Sequence, residues 1–137
     1  MFIQEKPGDL FAVDNSFFLA HCISADAKMG AGIARRFVRE FPALAGLRGS
    51  SLVVGGVYPV DRVFNLVTKD KYFEKPTYKT LGFTLDVLVG ICVTQGVSRL
   101  AMPRIGCGLD RLSWTKVRPM IEDRFLDLPI EIAIRFF

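Results

Sequence analysis

Two glycine-rich segments carry the clearest chemical signal in this chain: Met29-Gly30-Ala31-Gly32-Ile33-Ala34 and Arg104-Ile105-Gly106-Cys107-Gly108-Leu109-Asp110. Each follows an apolar run and precedes a helix or turn. Glycine lets backbone approach a ligand closely, and successive N–H groups beside a helix N-terminus attract phosphate. Two such loops at strand carboxyl ends could hold a diphosphate between them, where ligands sit in open α/β sheets. Tight turns alone would explain either loop; the two together favour an anion site without naming the anion. Other phosphate and hydrolase signatures fail. Arg35 stands where a dinucleotide fingerprint wants Gly or Ala, no Gly-Lys-Ser/Thr follows either loop, and no G-x-S-x-G elbow occurs. The single His21 and the scattered cysteines do not assemble a conventional zinc site.

The elements that would position these loops alternate between strand and helix. Phe2–Gln4 reads as an opening strand followed by a turn at Lys6-Pro7-Gly8-Asp9, and Phe17–Ile23 as a strand covered on both faces. A helix opens at Gly30-Ala31-Gly32 and runs to about Phe41, with Ile33, Phe37 and Phe41 inward and the arginines 35, 36 and 39 outward. A short helical turn follows near Leu44–Leu47. Leu52–Val60 and Arg62–Thr68 read as antiparallel neighbours. Thr77 caps a long helix that Gly96 ends, with Leu81, Leu85, Leu88 and Cys92 on its inner face. Leu100–Pro103 is a short buried strand. Ser113 caps a helix facing inward through Trp114, Val117, Ile121 and Phe125, and Pro129–Phe137 is a closing strand with Ile130, Ile132 and Ile134 alternating. This order predicts an α/β fold in three layers, a mixed sheet between helices, in one domain over residues 1–137.

Composition narrows the class. Half of the 137 residues are apolar and 23% are charged, a globular balance. No run reaches the roughly 18 apolar residues of a membrane-spanning helix, and Gln4, Glu5, Lys6 and Pro7 interrupt any leader-like start. Three widely spaced cysteines point to a reducing, cytoplasmic compartment, or a nucleus if the source is eukaryotic. A net charge of +4 suits an anionic ligand but falls short of the basic, aromatic-interleaved stripe of a nucleic-acid binder.

Five segments in order then narrow the reading: Gly8-Asp9-Leu10-Phe11, Leu19-Ala20-His21-Cys22-Ile23-Ser24, the loop from Met29 to Ala34, Lys75-Pro76-Thr77-Tyr78, and Met102-Pro103-Arg104 through Asp110-Arg111-Leu112. The series resembles the macrodomain family, in particular the subgroup of terminal ADP-ribose protein glycohydrolases and DNA de-ADP-ribosylating antitoxins. The resemblance runs from Gly8 to the final strand. It implies a three-layer α/β/α macrodomain with a mixed central sheet that removes ADP-ribose from an acceptor: a carboxylate ester on protein, O-acetyl-ADP-ribose or a DNA base. It implies Asp9 at the adenine amino group with Leu10 beside it, and Ser24 with Gly30–Ala34 around the distal ribose and diphosphate. Arg104–Leu109 become the second phosphate loop, and Phe137 lines the ligand site. Lys69 and Asp110 take the catalytic positions. An unprotonated amine can attack the anomeric or ring-opened carbonyl carbon to form a transient adduct, and a carboxylate beside it can move protons and orient the sugar. The partners implied are ADP-ribose and an ADP-ribosylated protein or DNA, with no cofactor, metal or membrane and a monomeric state.

Plainer readings stand beside these. A lysine at a strand end is ordinarily solvated, Asp110 and Asp9 could be turn formers, and His21 reads by default as a hydrogen-bonded core residue. Two other functions compete: a reader module that binds ADP-ribose without chemistry, and an ADP-ribose 1″-phosphate phosphatase like a related macrodomain branch in which a histidine serves, for which His21 is the secondary candidate as a substrate-binding residue. Cys107 reads as a small packing residue in the loop. The match is poor between Phe41 and Arg62, and Tyr72 and Phe73 replace more polar residues after Lys69. That departure leaves the acceptor open.

Overall fold

The apolar run in the first quarter of the chain becomes β2 (Phe18–Ser24), which lies inside the sheet as a segment apolar on both faces must. The computed structural model describes all 137 residues. With β1 (Phe2–Pro7), β3 (Val57–Val60), β4 (Val63–Lys69), β5 (Arg99–Met102) and β6 (Glu131–Phe136), β2 forms one six-stranded sheet in the order β1-β6-β5-β2-β4-β3. Every neighbouring pair is parallel except β3 and β4, so the sheet is mixed.

Side chains alternate across the sheet into two cores. Leu19 and Ile23 of β2 join Leu10, Leu44, Leu47 and Phe37, the last from α1 (Gly32–Glu40), on one face. Ala20 and Phe64 join the opposite face, beneath α2 (Tyr78–Gln95) and α3 (Trp114–Phe125). Leu81, Leu85, Leu88 and Cys92 of α2 are buried there, as are Val117, Ile121 and Phe125 of α3. The architecture is therefore three-layered, α/β/α. No helix is long and apolar enough to cross a membrane.

Local chemistry sets the helix ends. Thr77 and Thr80 form a reciprocal capping box at the start of α2, each side chain accepting from the other's backbone N–H at 3.0 Å. Gly96 closes α2 with a left-handed backbone, φ 65°. Ser113 occupies the cap position of α3, but its hydroxyl meets Thr115 rather than the backbone.

Four expectations need correction. The strand expected over Leu52–Val60 shrinks to Val57–Val60, because Gly55 turns to φ 97° and breaks the extended run. β1 continues past Gln4 to Pro7; it is an edge strand, where a missing proline N–H breaks no ladder. Ile33 does not share the inner stripe of α1 with Phe37, being 38% exposed in the first turn. Arg36 does not point outward: its guanidinium turns to Asp9.

Candidate functional site

β2 and β5 are adjacent and parallel, yet the segments after them leave for opposite faces, one into α1 and the other towards α3. Their ladder spans only Phe18↔Leu100 and Leu19↔Ala101, so the strands part before their carboxyl ends. Diverging connections at such a point open a crevice, the usual ligand position in open α/β sheets. Here it encloses about 1310 Å³. That is above the roughly 300–1,000 Å³ of a common small-molecule pocket.

The two glycine loops form its walls. Gly32 and Gly106 are both left-handed, φ 60° and 73°, and Leu109 Cδ1 would lie 3.0 Å from a Cβ at residue 32. The loops therefore approach at Gly32 and Leu109, where a side chain on residue 32 would crowd the Leu109 side chain. A Cβ at Gly30 or Gly108 would meet no protein atom. The backbone N–H groups of Gly108 and Leu109 have no acceptor within the protein. Of the four non-glycine residues with left-handed backbone, Ala27, Met29 and Arg111 sit on the segments beside the crevice. Strain of this kind collects at functional sites.

Lys69 ends β4, and Asp110 ends the second glycine loop. Lys69 Nζ donates to Asp110 Oδ1 at 2.6 Å, with side chains 13% and 16% exposed. A register shift in the β2–β4 ladder skips Thr68 and sets Lys69 opposite Ser24. Ala25 N donates to Lys69 O at 2.9 Å, and Tyr72 N donates to Asp26 Oδ2 at 3.0 Å. Burial opposes ionisation of Asp26, but hydrogen bonds from the Ser24 hydroxyl and the Tyr72 and Lys28 amides outweigh it and hold the carboxyl below its usual range. Asp26 thus stitches the first loop to the segment after Lys69.

At the far end, Asp9 caps the 3-10 turn Leu10–Ala12 by accepting from Phe11 N at 3.0 Å. Its other oxygen accepts from Arg36 Nη2 at 2.7 Å. The Arg36 guanidinium, together with the Phe11 amide, keeps the Asp9 carboxyl below its usual range. The guanidinium carbon lies 4.7 Å from the centre of the Phe11 ring. Leu10, Ser24, Gly30–Ala34, Ile105–Leu109 and Phe137 all line the crevice with Asp9, Lys69 and Asp110.

His21 takes the core position that was its first reading and loses the substrate-binding one, while Arg104 keeps its place in the loop with its guanidinium paired elsewhere. His21 does not reach the crevice. It is fully buried on the opposite side of β2 from Cys22, stacked on Phe37 with ring centres 3.8 Å apart. Asn65 Nδ2 donates to Tyr58 O, which leaves Asn65 Oδ1 to accept from His21 Nε2 at 2.6 Å. Burial pushes the imidazole down to about 4. A neutral histidine in the core cannot serve a phosphatase in the crevice, so that assignment and the substrate-binding one are both withdrawn. Arg104 lines the crevice, but its guanidinium is committed elsewhere. It gives two hydrogen bonds to Glu5 Oε2, at 2.8 and 2.6 Å, and lies over the Phe136 ring at 3.7 Å.

Burial pushes the Cys107 thiol up to about 11. It raises Cys22 to about 12, aided by the nearby Asp110 carboxylate. Neither thiol is a ready nucleophile at neutral pH. Asp26, Arg36 and Lys75 are site residues the sequence reading passed over. Only long-range pairing reveals the first two, whereas Lys75 stood in a quoted motif without a role.

No family model matches the chain. The chain is 43% identical to the human (Homo sapiens) ADP-ribose glycohydrolase OARD1 over 131 residues, covering 93% of this chain and 86% of that protein. Among solved structures it is similar to the macrodomain of Thermus aquaticus DarG, with a TM-score of 0.89, 21% identity and 99% of each chain covered. It is also similar to Thermosipho africanus DarTG in complex with ADP-ribose, with a TM-score of 0.84 and 22% identity, over 98% of this chain and 41% of that one.

Proposed function

The chain belongs to the macrodomain family that includes the ADP-ribose glycohydrolases, and from that premise we propose that it hydrolyses the bond between ADP-ribose and a modified acceptor. The observation that carries this reading is the Lys69–Asp110 pair, 2.6 Å apart at the crevice between the glycine loops. A simple reader of ADP-ribose needs the loops but has no use for an amine held against a carboxylate beside the ligand.

In this reading the loops receive the diphosphate on backbone N–H groups, Asp9 accepts from the adenine amino group, and the distal ribose meets Ser24 and the catalytic pair. A proton passes from the Lys69 ammonium to Asp110, which frees the amine. The Lys69 nitrogen bonds to C1″ as the C1″–O bond to the acceptor breaks, and the acceptor leaves as a carboxylate. The ribose ring then opens: the C1″–O4″ bond breaks as a proton of the new ammonium moves to O4″, leaving a C1″=N iminium on Lys69. Water adds to C1″, the C–N bond breaks, and Asp110 relays the protons that restore lysine and release ADP-ribose. A crevice of this size suits a substrate with a bulky acceptor. An ester on a protein glutamate is the acceptor we assign, because a carboxylate leaves without needing a proton.

The test is turnover of a glutamate-linked ADP-ribosylated protein by wild type, Lys69→Ala and Asp110→Ala, alongside DNA-linked and O-acetyl-linked ADP-ribose. Each substitution is expected to lower kcat by about 1,000-fold or more while ADP-ribose still binds, the signature of groups used in the transition state. Undiminished turnover in both variants would reject the mechanism. Binding with no turnover on any acceptor would leave a reader module.

A further inference from the structure

The segment Lys75-Pro76-Thr77-Tyr78 has no part in the chemistry above, yet two of its side chains hold the loop that carries Asp110. Lys75 Nζ donates to Leu109 O at 2.7 Å, the carbonyl of the peptide bond that joins Leu109 to Asp110. Tyr78 Oη accepts from Ser113 N at 2.9 Å, on the other side of Asp110. Asp110 is thus suspended between two anchor points. The base from which they reach is firm: Pro76 is buried, Thr77 forms the capping box, and Tyr78 is the first residue of α2.

The suspended loop needs that support. Gly106 and Arg111 both have left-handed backbone, at φ 73° and 65°, and Arg111 does so at a steric cost. Its backbone bonds are short-range: Cys107 N to Arg104 O, Arg111 N to Gly108 O and Leu112 N to Gly106 O. They shape the loop without tying it to β4, where Lys69 resides. The Lys75 and Tyr78 bonds provide a link to a fixed element on the Lys69 side of the sheet.

We propose that Lys75 and Tyr78 are positioning residues, a two-point clasp that sets the Asp110 carboxylate against Lys69 and the reacting carbon. The inference rests on the reading of Lys69 and Asp110 as the reacting pair. An ångström of drift between reacting groups costs about 100-fold in rate, so a loosened clasp acts on kcat more than on binding.

The test uses the full chain with a glutamate-linked ADP-ribosyl peptide, measuring kcat by product release and ADP-ribose affinity by calorimetry. The variants are Lys75→Met, Lys75→Arg and Tyr78→Phe, with Lys69→Met and Asp110→Asn as references. Lys75→Met and Tyr78→Phe should each lower kcat by about 10–100-fold with Kd changed less than about twofold, while Lys75→Arg, which can still donate to Leu109 O, retains most turnover. Wild-type kcat in Lys75→Met and Tyr78→Phe, with Asp110→Asn inactive, overturns the clasp and leaves the reacting pair standing. Parallel loss of affinity and turnover in Lys75→Met also overturns it, by assigning Lys75 to the ligand. Full turnover in the two reference variants removes the reacting pair, and the clasp with it.

Discussion

His21 illustrates how a residue type and its surroundings part company. The phosphatase alternative made it a secondary candidate, but alternation along β2 turns it into the core beneath α1. Burial there favours the neutral ring and lowers its pKa from 6.5 to about 4. The unfolded chain takes up a proton near pH 6.5 while the folded chain does not. The neutral ring therefore costs nothing above that value, and stability is lost as pH falls towards 4. At about 1.4 kcal/mol per unit, the loss is about 3 kcal/mol. Urea unfolding across pH 4–7 should show this slope in wild type and lack it in His21→Leu, whatever the absolute stability of that variant. Lys69 and Asp110 were legible only because each sits in a recognisable run of neighbours; taken singly, neither differs from a solvated lysine or a turn aspartate. Arg36 was illegible, since its partner Asp9 lies 27 residues away and nothing in the α1 pattern separates it from Arg35.

Among the elements, the helices were the easier to read. The inner face of α2, the Thr77 cap and the Gly96 stop all follow from a 3.6-residue period and its end signals. The segment 52–56 was harder: its apolar residues suggest a strand, but paired glycines let the chain turn before β3 begins. The loops separate structural glycines from ligand-facing ones. A methyl at residue 106 would meet Leu112 at 3.0 Å with the backbone at φ 73°, whereas one at residue 108 meets nothing in the protein. Gly106→Ala should therefore destabilise the fold by about 1–3 kcal/mol, from strain and crowding together. Gly108→Ala should leave the melting temperature nearly unchanged yet weaken ADP-ribose binding by about tenfold, because in the proposed binding mode the methyl takes space that the diphosphate uses. Thermal unfolding with calorimetric titration distinguishes the two. Equal affinity in Gly108→Ala and wild type would place the diphosphate elsewhere.

For the molecule as a whole, the alternation of strands and helices announced a three-layer α/β fold, but the strand order depends on pairings far apart in sequence. Glu5 shows what those pairings add. From edge strand β1 it accepts hydrogen bonds from Arg104 on the second glycine loop and from Trp114 and Arg118 of α3. Burial works against its charge, but these three donors prevail and hold the carboxyl below its usual range. A lowered folded pKa means the stabilisation is present above the ordinary glutamate value and fades as pH falls below it. Glu5→Gln should cost about 1–3 kcal/mol at neutral pH and flatten the acid limb of the stability curve. An unchanged acid limb would remove Glu5 as the link between the first strand and the crevice wall.

In the proposed mechanism β4, both glycine loops and the segment before α2 meet at one crevice, where one amine reaches one sugar carbon. The most direct measurement of that claim is reductive trapping during turnover. Borohydride added to wild-type protein and a glutamate-linked ADP-ribosylated substrate should convert the ring-opened adduct to a stable amine. Peptide mapping should then find a single ADP-ribosyl group on Lys69, absent from Lys69→Met. Sustained turnover that leaves Lys69 unmodified under reduction, or modification spread evenly over Lys69, Lys71 and Lys75, would contradict the account.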